Sequence, residues 1–491
     1  MSANLETAAP TGRSVPTEGK ERSDAALGHA SQNTSSPVGA KKGGLFDLRG
    51  IVQPRSGKSS PATHPDLPYI GLEHVEAHTT RLLGSVPATE MKSPANRFQP
   101  GDVLYSRLRP YLNKVWRADR DGLCSSEFIV LPGNERIDAA YLCYRLNSRD
   151  FVSFANSLNA GDRPRVDFEQ ISEFKTWVPD TLSEQRRIVA EIEKQFTRLE
   201  AGVAALRLVQ ANLKRYRAAV LKAACEGRLV PTEAALARSP RSTKSGPPAY
   251  ETGEALLARI LTERRRNWQG RGQYKEPTVI DAANQSPLPF GWTWASMRQV
   301  GEVQLGRQRA PQHHAGDNMR PYLRVANVLE ARIDISDVKE MNFTPVEFER
   351  YRLRHGDILL NEGQTPEHVG RPAMFRNEIP DCCYQKTLLR FRAYAGVLPQ
   401  FALIVFRAYM HNQRFTREAS ITTNIAHLTA EKFVEIEFPL PPLAEQMRIV
   451  AEVERRLSVV EELESVVTAN LQRATRLRQS ILQMAFTGAL T

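Results

Sequence analysis

Two stretches of this chain concentrate side chains that can hydrogen-bond the edges of nucleic-acid bases. Ser106-Arg107-Leu108-Arg109-Pro110-Tyr111-Leu112-Asn113-Lys114 follows an apolar run and interleaves cations with an aromatic ring. Asn361-Glu362-Gly363-Gln364-Thr365-Pro366-Glu367-His368-Val369-Gly370-Arg371 follows a similar run further on, with amides and carboxylates in place of most cations. A second matched pair is Gly161-Asp162-Arg163-Pro164-Arg165 and Ser420-Ile421-Thr422-Thr423-Asn424, and Gly306-Arg307-Gln308-Arg309 adds further cations. Arginine and lysine suit guanine edges and phosphates, asparagine and glutamine suit adenine, and glutamate suits cytosine. The candidate contact residues are Ser106, Arg107, Arg109, Tyr111, Lys114, Arg163 and Arg165 in the first half. In the second half they are Arg307, Arg324, Asn361, Glu362, Gln364, Arg371, Thr422 and Asn424. Matched loops with unlike side chains are what two readers of different sequences need. The bland alternative is that the loops diverged under weak constraint.

Catalytic signatures of weight are missing. No Gly-x-x-x-x-Gly-Lys-Ser/Thr phosphate loop and no Gly-x-Gly-x-x-Gly after a strand occurs. Neither an Asn/Asp-Pro-Pro-Tyr/Phe methyltransferase tetrapeptide nor a usable metal-nuclease spacing after Pro380-Asp381 is present. His313-His314 lacks a third ligand at helical or hairpin spacing, which favours an ordinary loop pair. Asp102 and Asp357 each follow a glycine just before a strand, which is turn chemistry. The five cysteines have no zinc-like spacing and read as reduced core thiols.

The elements that position the loops recur along the chain. Pro68-Tyr69-Ile70-Gly71-Leu72, Val103-Leu104-Tyr105-Ser106 and Ser126 to Leu131 read as strands, and Ala139 to Asn156 as a helix. The same order returns as Pro321-Tyr322-Leu323, Gly356 to Leu360, Lys386 to Phe391, and a helix over Pro399 to Asn412. After each block comes a long helical stretch. Leu182-Ser183-Glu184-Gln185-Arg186-Arg187-Ile188-Val189-Ala190-Glu191 and Leu443-Ala444-Glu445-Gln446-Met447-Arg448-Ile449-Val450-Ala451-Glu452 lie 261 residues apart, as do Gly227 and Gly488. Duplication at this range predicts a pseudo-twofold molecule.

Heptads mark both stretches as coiled-coil helices. Ile192, Leu199, Leu206, Leu213 and Val220 form one d series; Val453, Val460, Val467 and Ile481 form the other, with Leu471 at an a position. Polar residues interrupt the a series at Gln210, Arg217, Glu464 and Arg478. They either fix register across the seam or snorkel to solvent. Each stretch of about 45 residues would span roughly 65 Å as a helix, and antiparallel packing within the chain is expected.

The expected fold is α+β: two similar globular α/β domains separated by two long antiparallel coiled-coil helices, with pseudo-twofold symmetry. The boundaries read as a disordered tail over 1–44, a first domain over 45–180 and a long helix over 181–230. A linker with a short amphipathic helix over 231–288, a second domain over 289–441 and a second long helix over 442–491 complete the chain. Within the linker, Ser239 to Pro248 is a spacer by composition. Thr252 caps a predicted helix with Leu256, Leu257, Ile260 and Leu261 on its apolar face. Arg264, Arg265 and Arg266 at its end are either a solvated helix terminus or a phosphate contact. A formal charge of +11 over 491 residues fits a polyanionic partner without requiring one. No apolar run approaches a membrane span, and a cytoplasmic location is expected.

The repeated Leu-x-Glu-Gln-x-Arg-Ile-Val segments resemble the conserved regions of type I restriction–modification specificity subunits. So do the helix endings Leu221 to Leu229 and Ile481 to Leu490, and the opening Leu288-Pro289-Phe290-Gly291-Trp292. The likeness runs from about residue 45 to the end; the first unit lacks a clear Leu-Pro-x-Gly-Trp opening. The resemblance implies two target recognition domains, each reading one half of a split sequence in double-stranded DNA. It also implies helices that set the spacing and dock two methyltransferase subunits, with restriction/translocase subunits joining. S-adenosylmethionine, ATP and Mg²⁺ would then belong to those partners, leaving this chain non-catalytic. The alternative from another class is a coiled-coil scaffold that binds protein without DNA sequence preference.

Overall fold

The computed structural model describes residues 42–158, 161–238, 250–270 and 272–487. Most of the expected tail, the spacer Ser239 to Pro248 and the terminal Gly488 lie outside the described residues. The chain divides into two compact units, one of residues 1–191 with 482–491 and the other of residues 192–481.

The first unit closes on an antiparallel pair, Gly43–Asp47 against Lys175–Pro179. Strand Asp102–Ser106 runs antiparallel between Val115–Arg117 and Phe128–Pro132. It is buried along its whole length because Val103, Leu104 and Tyr105 meet core on both faces. Pro68–Ile70 pairs in parallel with Gly122–Cys124. Phe98, Leu104, Trp116, Phe128 and Val130 pack into the core these strands enclose.

Each pairing returns in the second unit. Thr293–Ser296 joins Glu437–Leu440, Ile358–Asn361 joins Leu388–Ala393, and Tyr322-Leu323 runs parallel to Cys383-Tyr384. The duplication therefore extends to strand register. The Gly43–Asp47 strand of the first unit matches Thr293–Ser296, the strand that follows the Leu-Pro-Phe-Gly-Trp opening in the second.

The two Gly-Asp turns also work alike. Gly101 and Gly356 take φ near 87° and 91°, a region glycine enters without a Cβ clash. The following aspartates are almost fully buried, and each accepts two bonds from one guanidinium. Arg55 reaches Asp102 at 2.8 and 2.9 Å, and Arg392 reaches Asp357 at 2.6 Å twice. A bidentate pair satisfies a carboxylate that burial would otherwise penalise, so both aspartates are fasteners.

The helix expected over Ala139 to Asn156 is two helices, Ala139–Leu146 and Arg149–Ser157. Ser148 sits between them in extended conformation. The buried Arg145 guanidinium gathers Ser148, Asp150 and Thr176 at 2.6–2.7 Å, which stabilises the break. Its counterpart is one helix, Pro399–His411. The linker helix runs Gly253–Arg266, with Thr252 Oγ1 accepting from the Ala255 N–H and Leu256 and Ile260 buried. Arg264 at its end bonds the Arg298 carbonyl, and Arg265 lies over Tyr274, which leaves the trio largely committed locally.

The long helices are Leu182–Cys225 and Leu443–Thr487. Within the second unit they run antiparallel, since Arg217 meets Glu464 while the earlier Glu200 meets the later Arg478. Leu213 packs with Val460 and Val467, flanked by Leu206 and Leu471, as the heptads require. Ile192, Val220, Val453 and Ile481 are buried too, while Leu199 is half-buried. Three of the polar a positions make contacts across the seam and do not snorkel to solvent. Arg217 and Glu464 bind each other across the seam at 2.7 Å, and Arg478 lies 3.8 Å over the ring of Phe196.

Candidate nucleic-acid interface

In the first unit the two loops singled out in the sequence are joined directly by backbone hydrogen bonds, and in the second they are joined through the strand Ile425–His427 that follows the second loop. In the first, the Val166 N–H donates to the Arg107 carbonyl at 2.9 Å, and the Arg109 N–H donates to the Pro164 carbonyl at 2.8 Å. Leu108 and Arg165 form a β-bridge between these bonds. In the second unit the same place holds a short ladder, Gly363 against His427 and Gln364 against Ala426. The second strand of that ladder continues into a hairpin with Ser420–Thr422.

The strand that ends at Ser106 or Asn361 is the rigid base of each loop pair. Beyond Ser106 the chain turns sharply, with Arg109 and Asn113 both left-handed around Pro110–Leu112. Asparagine tolerates that conformation better than most residues, and the Asn113 amide donates to the Asn147 carbonyl inside the fold. The turn leaves Arg109 and Tyr111 exposed, with Arg163 and Arg165 exposed on the adjoining loop. Arg165 is paired with Glu127. The other candidates are committed inward: Ser106 Oγ donates to the Leu108 carbonyl, Lys114 Nζ to the Leu72 carbonyl, and Arg107 Nε to the Val166 carbonyl.

In the second unit Gln364 is half-buried beside the ladder, and Glu362 lies 3.4 Å from His427. Thr422 and Asn424 are exposed at the hairpin end, where Thr423 takes φ 57°. Asn361 is fully buried, and its side-chain nitrogen and oxygen both lack a hydrogen-bond partner. Arg371 is partly sealed, and desolvation pulls its pKa below the usual arginine value. Two further candidate cations are held by other partners. Arg307 is buried, bound to Glu347 at 2.9 Å and stacked 5.0 Å from the centre of Phe343, and Arg324 is tied to Asp337. Their guanidiniums brace the fold where the sequence suggested base contacts.

Several structural anchors carried no separate signal in the sequence. Gln185 and Gln446 fasten the long helices to their units. Trp292 of the Leu-Pro-Phe-Gly-Trp opening donates its indole N–H to the buried Glu445 at 2.9 Å, while the Glu233 N–H donates to the other oxygen at 3.1 Å. Burial raises the Glu445 pKa despite those donors. Ile421 and Ile425, 55% and 48% exposed, were also missed as surface residues. Their β-branched neighbours around Thr423-Asn424 are the hairpin signal that could have revealed them. Among the described residues no group of three or more His, Cys, Asp or Glu is arranged to hold a metal, and no helix is long and apolar enough to cross a membrane.

The chain thus repeats an α/β unit followed by a long heptad helix, an arrangement found in a known structure. Residues 290–464 match the type I restriction modification DNA specificity domain. Among curated relatives, the Escherichia coli type I restriction enzyme EcoDI specificity subunit is 32% identical over 142 residues, 28% of this chain and 31% of that protein. The EcoKI specificity subunit of Escherichia coli strain K12 is 27% identical over 173 residues, 35% of this chain and 37% of that protein. The chain thus spans about a third of the length of these relatives. A chain from a structure of a type I R-M system, solved for its complex assembly and conformational transition, shares the fold. It has a TM-score of 0.61 at 19% identity, covering 91% of this chain and 98% of that one.

Proposed function

We propose that this chain is the DNA-specificity subunit of a type I restriction–modification complex. Each unit reads one half of a bipartite target in double-stranded DNA. The paired helices hold the halves at a set spacing and dock two methyltransferase subunits, and restriction/translocase subunits complete the assembly. The chain itself performs no chemistry; S-adenosylmethionine, ATP and Mg²⁺ act on the partner subunits, in the cytoplasm.

One observation carries the reading. The same zipped pair of loops stands at the same place in both units, yet one carries Arg109, Tyr111 and Arg163 and the other Gln364, Thr422 and Asn424. A common scaffold with unlike polar faces suits two different sequences. Coexpression with the cognate methyltransferase subunit, followed by single-molecule sequencing of the host DNA, tests it. A new methylated motif split by a fixed gap is expected. A stable complex that leaves no modified motif would refute the reading.

A further inference from the structure

The hairpin of the second unit exposes apolar side chains where a folded protein gains nothing from them. Ser420–Thr422 and Ile425–His427 pair as Ser420 with His427, Ile421 with Ala426, and Thr422 with Ile425. Side chains opposed across an antiparallel pair share a face. Ile425 therefore stands beside Thr422 on one face and Ile421 stands on the other, both about half exposed. The tip is the two-residue turn Thr423-Asn424. Thr423 adopts φ 57°, which a β-branched residue rarely does. Strain at an exposed tip is not a packing requirement, and such strain gathers at functional sites.

The surroundings say what covers the hairpin. Its inner strand is hydrogen-bonded to Gly363-Gln364, so it projects from the polar loop assigned above to base contacts. Lys432 bonds Ser420 Oγ at 2.9 Å at its foot, and the exposed Arg417 stands three residues before it. At the matching place the first unit carries Arg163 and Arg165. A two-stranded β-ribbon fits the major groove, and the apolar group that groove displays is the thymine 5-methyl.

We propose that Ile425 is a specificity-determining residue that reads a thymine methyl group in the major groove, with the hairpin lying in the groove as a ribbon and the face of Thr422 and Ile425 turned to the bases, while Ile421 shares the opposite face with the buried Ala426. The inference rests on the proposed function and adds the chemical group that this unit selects.

The test uses the complex of the full chain with its methyltransferase subunit and a duplex carrying its sequenced motif. The half-site of the second unit is the one altered when residues 361–371 are exchanged. Thymines on either strand of that half-site are replaced singly by uracil, which removes only the methyl. Binding should weaken about fourfold at one position, the weight of one buried carbon. For Ile425→Ala, uracil and thymine should bind alike at that position, whereas Ile421→Ala, on the opposite face, should keep the discrimination. Because the first comparison changes only the DNA, it is immune to a folding defect. If uracil is tolerated everywhere in that half-site, if the half-site holds no A·T pair, or if Ile425→Ala still discriminates, the inference is wrong while the specificity reading stands. If the wild-type complex has no preferred motif at all, both fall.

Discussion

Gln185 and Gln446 stand 261 residues apart and make the same three hydrogen bonds. Gln185 accepts from the N–H of Asp138, the residue that caps the following helix, at 2.7 Å; its amide donates to the carbonyls of Arg136 and Pro179 at 2.9 and 3.2 Å. Gln446 accepts from the N–H of Leu398 at 2.8 Å and donates to the carbonyls of Gly396 and Pro441 at 3.1 Å. Each glutamine thus knits the first turn of a long helix to a helix start and a strand end. Both are completely buried.

The donor side of that amide cannot be supplied by a carboxylate. Gln446→Ala leaves one N–H and two carbonyls without this partner, at about 1–3 kcal/mol for each group that water cannot reach. Gln446→Glu keeps the acceptor but turns an anion toward two carbonyl oxygens. The introduced carboxyl should have a raised pKa in the folded chain. Its penalty then begins as pH rises past about 4.3, the unfolded value, and is complete above the folded value. Thermal unfolding from pH 4 to 8 should show this variant losing stability steadily against the wild type. A constant difference would mean that the amide is not the donor described.

Arg217 and Arg478 are likewise equivalent in the repeat, but their partners differ. Arg217 reaches Glu464 on the opposite helix, and Arg478 reaches Glu200 and covers Phe196. The first pair lies at a positions and is only 19% and 27% exposed. Removing one member leaves a poorly solvated charge, whereas replacing both by apolar residues restores a continuous seam. Arg217→Leu should lower stability by about 1–2 kcal/mol, and Arg217→Leu with Glu464→Leu should recover most of it. Urea unfolding followed by helical circular dichroism measures both. Equal losses in the single and double variants would show that the pair does not couple.

Fold and site were legible to different depths. Periodicity showed the strands, the helices and the duplication, because burial on one face leaves a mark every two, 3.5 or 3.6 residues. The matched loops were visible because they follow matched strands. Sequence could not tell an exposed arginine from a buried one. Arg109 and Arg307 look alike in the text, yet one projects from a left-handed turn and the other is closed over by Glu347 and Phe343. That difference arises from contacts between residues distant in sequence. The break at Ser148 was hidden for the same reason, since the apolar spacing continues through it while Arg145 and Thr176 hold it open.

Glu330 gives the second unit an acid-sensitive joint. It accepts from Arg407 at 3.0 Å and contacts His411 at 2.9 Å, clasping helix Pro399–His411. Burial alone would raise its pKa, but the bond to His411 and the charge of Arg407 outweigh it and bring the value down to about 2. A depressed folded pKa means stability that is present above the unfolded value near 4.3 and is lost as pH falls toward 2. Glu330→Gln should therefore be less stable than wild type at neutral pH. The two unfolding midpoints should converge between about pH 4 and 2. Parallel curves through that window would remove Glu330 as the titrating group.

The two loop pairs should fail in different ways when altered, and the difference separates positioning from reading. Arg163 is exposed on the cationic loop of the first unit, and a guanidinium there suits a phosphate. Arg163→Ala should weaken binding to all sequences together, lower the slope of log affinity against log salt by about one, and leave the methylated motif unchanged. Asn424 stands exposed at the hairpin tip, and its amide suits the N6/N7 edge of adenine. Asn424→Ala should keep the salt slope and relax one position of a single half-site, at about 1–3 kcal/mol of discrimination. The other half-site and the gap should stay as they are. Filter binding over 50–200 mM salt and sequencing of methylated DNA from each variant provide the two readouts. A change in both half-sites on altering Asn424 alone would contradict the assignment of one half-site to each unit.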